Sequence, residues 1–395
     1  MRFSISGYTA TSAAGVGLSA LRKSIAARQS GLRENDLEHC DLDTWIGRVE
    51  EIEGTELPGE FEHLDSRNNR LAWLALQQDS LLEGLGRHVE RFGAHRIGTV
   101  IGTSTSSIGR TEEAYRCLDE MGQMPPRYRQ PEVHNLHSPG ILVSRLAGLG
   151  GPAMSISTAC SSSAKVFATA ARWLQCGLVD AVLVGGVDSL CLSTLYGFNS
   201  LELVSPEPCR PFDADRRGIS IGEAAGYAIV TRHEADPGAK LTLLGYGESS
   251  DAYHMSHPHP EGRGAVAAID SALSRAGLDA RQIDYINLHG TASRANDQVE
   301  VRVLASRFAP GVRASSTKGW TGHTLGAAGI LEAVITLDAM ATGLVPGTLN
   351  CMAVDPEFEF PIQQENTPVP LKYAMSNSFG FGGSNAALVF GVLDD

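Results

Sequence analysis

The sequence lacks the features that mark secreted, membrane-spanning and nucleic-acid-binding chains. Its seven cysteines (Cys40, Cys117, Cys160, Cys176, Cys191, Cys209 and Cys351) are odd in number and form no CxxC pair. That excludes a disulfide framework and a thiolate zinc site. No stretch offers ~20 uninterrupted apolar residues, so no membrane span is expected. The opening segment, 1–17, lacks the charged and apolar regions of a secretory signal, and a reduced, cytoplasmic setting follows. Basic residues are outnumbered: 32 Lys and Arg against 45 Asp and Glu leave a formal net charge of −13. With no basic run, nucleic acid and anionic membranes are poor partners.

What is present is core-forming material. Hydrophobic residues make up 43% of 395, and glycine is abundant at 43 residues, against a usual ~7%. Short apolar runs at 97–102, 153–158, 181–187 and 225–231 predict buried strands. Between them, 163–175 predicts a helix that is apolar nearly all round and therefore buried on most sides. After a connector near 235–240, a second series repeats this order: a strand from 241, a helix at 264–276, a strand at 283–288, helices at 297–308 and 325–341, and strands at 373–376 and 386–392. Two α/β halves are expected, 1–232 and 233–395, with no disordered linker between them. The long excursions 32–66 and 105–140 fit caps over an active site or a subunit contact.

Chemistry concentrates in four places. Cys160 follows a strand and precedes the buried helix in TACSSS (158–163). There, free N–H groups and the helix dipole favour a thiolate and can hold an oxyanion. Most cysteines are merely small buried hydrophobes, as the other six read here. His289, in NLHGTAS (287–293), and His323, in STKGWTGHTLGAAG (316–329), occupy matching strand-to-helix positions. A lone histidine is usually structural; two such positions argue otherwise. Zinc is discounted because no third ligand lies at short spacing. His254, His257 and His259, in DAYHMSHPHPEG (251–262), read as a polar loop because Pro258 and Pro260 forbid a helical ligand face. The Gly-rich NSFGFGGSN (377–385) lacks a phosphate-loop context and better suits a turn that brings backbone N–H close to a reacting carbonyl.

Taken together and in this order, these four motifs resemble the β-ketoacyl-acyl-carrier-protein synthases of types I and II, over nearly the whole chain. The resemblance implies a thiolase-like α/β fold, with two βαβαβ halves in five layers (αβαβα). It implies decarboxylative Claisen condensation of a Cys160-bound acyl chain with malonyl-carrier protein, giving a 3-oxoacyl chain. The N–H groups of Cys160 and Phe381 would form the oxyanion hole, and His289 and His323 would hold the malonyl thioester carbonyl. Lys318 would order the site by pairing with Glu300. Thr291 and Ser293 would hold the phosphopantetheine arm, Phe379 and Phe381 would close over the thioester, and Phe198 would line the pocket. Arg67, Arg70, Arg127 and Arg129 would contact the acidic carrier protein. The enzyme would need no cofactor of its own, since phosphopantetheine arrives on the carrier. It would act as a homodimer, or as a heterodimer with a chain-length-factor-like homologue. Departures at Ala292, Ser293, Arg294, Arg217 and Ala224 remove no catalytic group but weaken an assignment to housekeeping fatty-acid synthesis, so fatty-acid synthesis and an aryl-polyene or other type II polyketide pathway both stay open. A thiolase is disfavoured because GFGGSN contains no second cysteine, and a non-catalytic chain-length factor because Cys160 is present.

Overall fold

The computed structural model describes residues 2–236 and 238–393; Pro237, within the expected connector, lies outside the described residues. The first half contributes strands β1 (Phe3–Ser12), β2 (Ile97–Gly102), β3 (Ala153–Ile156), β4 (Ala181–Asp188) and β5 (Ala224–Arg232). They lie side by side in the order β3-β2-β4-β5-β1. The second half contributes β6 (Leu241–Ser250), β7 (Tyr285–Asn287), β8 (Arg313–Ser315), β9 (Tyr373–Gly380) and β10 (Ser384–Val392), in the order β8-β7-β9-β10-β6. Numbered within each half, both sheets read 3-2-4-5-1. In each, the first three of these are mutually parallel and the last two pair antiparallel. The two sheets join where β1 and β6 pair at Phe3↔Leu243 and Ser4↔Thr242.

Strand alternation builds the layers. Along β4, Val182 and Val184 face one way into a central core, while Ala181, Leu183 and Val187 face the other way onto an outer one. Along β10, Leu388 and Phe390 join the same central core, and Ala387 and Val389 face outward. A side chain every second residue on each face explains why these strands read as unbroken apolar runs: both faces are covered. The central layer is two helices, Ser162–Gln175 and Ala328–Thr342, buried on nearly every side. Helices Arg67–Leu76 and Leu81–Phe92 cover the first sheet from outside, and Arg263–Ala276 and Arg294–Arg307 cover the second. The result is five layers, αβαβα. The segment Leu325–Thr342 is apolar and long enough by composition to cross a membrane, yet it is 89% buried between the two sheets.

One expected strand differs. The run at 153–158 reads as buried, but β3 ends at Ile156 and is the outermost strand of its sheet, with Met154 41% exposed. Its side chains are mostly apolar, but no further strand among the described residues pairs with that edge.

The two central helices cross at closest approach where Gly329 meets Ala164. A Cβ on Gly329 would stand 2.4 Å from the Ala164 nitrogen. Gly329→Ala should therefore lower stability by about 1–3 kcal/mol through overpacking. In an exposed helix the same change raises stability by up to ~1 kcal/mol. The urea unfolding midpoint distinguishes the two signs.

Candidate active site

The repeat brings corresponding loops together. In the first half the chain leaves β3, passes Ala159 in the left-handed region (φ 52°) and presents Cys160 just before the helix from Ser162. In the second half it leaves β8, turns through Lys318–Thr321 and Gly322 (φ 71°), and presents His323 ahead of the helix from Ala328. Ser163 Oγ accepts from Ile330 N–H at 2.9 Å, locking the two helix starts together. His323 is pinned through its backbone, donating to Ser220 C=O and accepting from Gly222 N–H. His289 follows β7, so all three groups lie beyond the carboxyl ends of parallel strands.

His323 Nε2 lies 3.0 Å from Cys160 Sγ. The His289 and His323 rings stand edge to face, 5.3 Å between centroids, and one ligand atom from each of Cys160, His289 and His323 lies within 4.8 Å of the others. The three open on a pocket also lined by Phe198, Thr291, Ser293, Phe379 and Phe381. The Thr291 and Ser293 hydroxyls are 2.9 Å apart. The Phe198 and Phe381 rings pack with centroids 5.3 Å apart.

Burial sets the protonation states. It pushes the Cys160 thiol up to about 12, opposed by the Lys318 charge and by the Phe381 N–H, which donates to the sulfur. A resting thiolate, expected from the helix terminus alone, is thus outweighed by desolvation, and Cys160 rests as a thiol beside an imidazole. Burial and the Lys318 charge hold both His289 and His323 well below the usual histidine range, so both rings are neutral.

Lys318 does not pair with Glu300. Its ammonium is buried and donates to the Glu332 carboxylate and to the His289 carbonyl, with His289 Nδ1 at 3.5 Å. Both Glu300 oxygens are already occupied, accepting from His289 N–H at 2.8 Å and Gly290 N–H at 2.7 Å. An ammonium has three protons to give. With the third directed at Nδ1, that nitrogen is the acceptor and the His289 proton sits on Nε2.

Three further buried carboxylates escaped the sequence reading. Glu332 is an acid inside the apolar run GILEAVITL, which in a buried helix demands a cation. Asp297 accepts from Thr291 N–H and Phe212 N–H, fixing the loop after His289. Asp188 accepts from Thr103 Oγ1, Ser104 N–H and Gly326 N–H, tying the loop after β2 to the loop after His323.

The four arginines expected to contact a carrier protein divide. Arg67 is not a free cation: it forks onto the fully buried Glu223 and also reaches Glu53. Arg70 forks onto Asp65. Both serve as structural ion pairs. Arg127 and Arg129 are exposed, Arg127 lying over the Tyr128 ring and Arg129 bonded to the Met124 carbonyl. The argument against zinc from spacing also fails, because folding supplies Cys160 as the third ligand. The Lys318 ammonium beside His289 opposes a metal there instead.

Residues 2–236 match the N-terminal domain of the β-ketoacyl synthases, and residues 241–352 match their C-terminal domain. The chain belongs to the β-ketoacyl synthase family. Like other ketosynthases it is an acyltransferase. A 3-oxoacyl-[acyl-carrier-protein] synthase 2 of Vibrio cholerae is 33% identical to it, covering 93% of each chain. The nodulation protein E of Rhizobium meliloti is 32% identical over 88% of this chain and 90% of its own. Among solved structures, a Xenorhabdus doucetiae ketosynthase in complex with its chain length factor is 36% identical, with a TM-score of 0.88 over 99% of this chain and 98% of its own.

The Lys318–Glu332 pair makes a quantitative prediction for this ketosynthase. Lys318→Met should cost about 3–5 kcal/mol by leaving a buried acid without its cation, and Glu332→Leu added to it should recover most of that loss. Glu300→Leu added instead should recover none. Chemical denaturation of the single and double variants checks this.

Proposed function

We propose that this ketosynthase joins a Cys160-bound acyl chain to the two-carbon unit of malonyl-carrier protein. The single observation that carries the reading is the thiol 3.0 Å from one neutral imidazole, with a second imidazole across the same pocket. In the first step Cys160 sulfur attacks the carrier thioester, its proton leaving toward His323 Nε2. The N–H groups of Cys160 and Phe381 hold the oxyanion, and the carrier thiol departs. In the second step malonyl-carrier protein places its thioester carbonyl between His289 and His323. Loss of carbon dioxide leaves an electron pair on the adjacent carbon and negative charge on that oxygen. The Nε2–H of His289 donates to it. The carbanion attacks the Cys160 thioester, the sulfur leaves and takes up a new proton from solvent by way of His323, and a 3-oxoacyl-carrier protein results.

Neutral rings suit this chemistry. A neutral donor stabilises developing charge without first forming a tight ion pair with the malonyl carboxylate. Lys318 acts through His289 as a positioning residue. Thr291 and Ser293 hold the phosphopantetheine arm, Phe379 and Phe381 cover the thioester, and Phe198 bounds the acyl chain. Arg127 and Arg129 meet the acidic carrier protein. No cofactor beyond the carrier's phosphopantetheine is needed. The seven cysteines are all free, which fits a reducing cytoplasm.

The open β3 edge, with Met154 exposed and Leu136 47% exposed near the neighbouring helix Ser138–Leu146, suits a second chain of the same fold. A chain-length-factor-like partner is favoured, because the Xenorhabdus doucetiae ketosynthase was solved with one. The departures at Ala292, Ser293, Arg294, Arg217 and Ala224 keep a dedicated type II polyketide or aryl-polyene pathway beside fatty-acid synthesis as the setting of this ketosynthase.

Mass spectrometry after mixing with an acyl-carrier thioester should find the acyl group on Cys160, and none on Cys160→Ala. His289→Ala should still be acylated but form 3-oxoacyl product at least a hundredfold more slowly. A wild-type protein that takes up no acyl group would overturn the reading.

A further inference from the structure

Within 251–262, three donor atoms converge without any helix. His254 Nδ1 and His257 Nδ1 lie 3.2 Å apart, and Ser256 Oγ lies 3.4 Å from the first and 3.1 Å from the second. The two rings meet at 71° with centroids 4.9 Å apart. Three groups crowd the single lone pair of His254 Nδ1: Ser256 N–H at 3.2 Å, Ser256 Oγ and His257 Nδ1. The two ring nitrogens hydrogen-bond to each other only if one carries a proton on Nδ1; with both protons on Nε2, two lone pairs converge on one point.

A cation resolves them. Two imidazole nitrogens bound to a tetrahedral ion at about 2.0–2.1 Å stand roughly 3.3 Å apart, which is the spacing found. We propose that His254 and His257 form a site for a first-row divalent transition ion, Zn²⁺ being the reference, with the Ser256 hydroxyl as a weak third ligand and solvent completing the shell. Proline at 258 and 260 does not oppose this, because the ligands come from a turn and not from a helical face.

The location gives the site a consequence. His257 lines the pocket that holds Cys160 and also the adjoining groove of Tyr253, His254 and Arg302. The loop is tied to the Gly-rich turn carrying Phe381: Gly382 N–H donates to the Met255 carbonyl, and Asn385 Nδ2 donates to Asp251 Oδ1 at 2.8 Å. Asp251 in turn accepts from His259 N–H at 2.9 Å. A bound ion stands at the pocket mouth, on backbone held in place from both sides. Given the proposed condensation, the ion narrows the passage of the phosphopantetheine thioester, so Zn²⁺ is a reversible inhibitor.

Calorimetric titration with ZnCl₂ should show one Zn²⁺ per chain. Binding should weaken at least tenfold in His254→Gln and in His257→Gln, both exposed positions, and be unchanged in Cys160→Ala. Zn²⁺ should slow acylation of Cys160 by a carrier thioester at least tenfold in the wild type, and less than twofold in the double histidine variant. Binding that survives in the double variant overturns the site. So does binding lost in Cys160→Ala, or a thiolate-to-metal charge-transfer band with Co²⁺, since either seats the ion at the catalytic cysteine. Binding as expected without slowed acylation overturns the blocking role. A metal-free protein that is never acylated overturns the condensation reading, while the Zn²⁺ isotherm stands by itself.

Discussion

A buried ammonium organises this active site. Lys318 is 1% exposed, and a charge taken that far from water persists only if every proton finds an acceptor. Glu332, the His289 carbonyl and His289 Nδ1 are those acceptors. Satisfying them fixes the distance between the turn after β8 and the loop after β7. Glu300 and Asp297 then fasten the same loop from the other side through backbone N–H groups. The arrangement leaves His289 little freedom of position, tautomer or charge.

The other reacting groups take their character from the same burial. Two neutral imidazoles and a neutral thiol share one pocket because desolvation disfavours every charged form, and because one positive charge is already present in Lys318. In the proposed reaction this matters at both steps. The thiol gives up its proton only when an electrophile is in place, and the His289 donor waits for charge that appears as carbon dioxide leaves. The fold supplies the proximity: one duplicated topology sets two central helices start to start, with Cys160 ahead of one and His323 ahead of the other.

Much of this was legible in the sequence, and the failures share a cause. Ile97–Gly102 and Ala181–Asp188 announced themselves because a strand covered on both faces must be apolar at every position. Cys160, His289 and His323 were found because each sits between a strand signal and a helix. The β3 run was misread as buried because apolar composition records suitability for burial, not the presence of a cover. The Lys318 partner was misassigned to Glu300, since sequence order does not reveal that two backbone N–H groups already occupy that carboxylate. Glu332 was overlooked, although a lone acid in an apolar helix calls for a buried cation. Arg67 looked like a surface charge until folding placed it against the buried Glu223, 156 positions away. Pairings between distant segments are settled by tertiary contacts, and local pattern does not encode them.

The central claim is that burial and the Lys318 charge hold His289 neutral, with Lys318 placing its proton on Nε2. Nitrogen-15 NMR of histidine-labelled protein, with the His289 signals assigned by difference against His289→Gln, tests it most directly. The account predicts a protonated Nε2 and an unprotonated, hydrogen-bonded Nδ1 for His289, unchanged from pH 8 down to pH 6. An imidazolium at pH 6, or the proton on Nδ1, would contradict it.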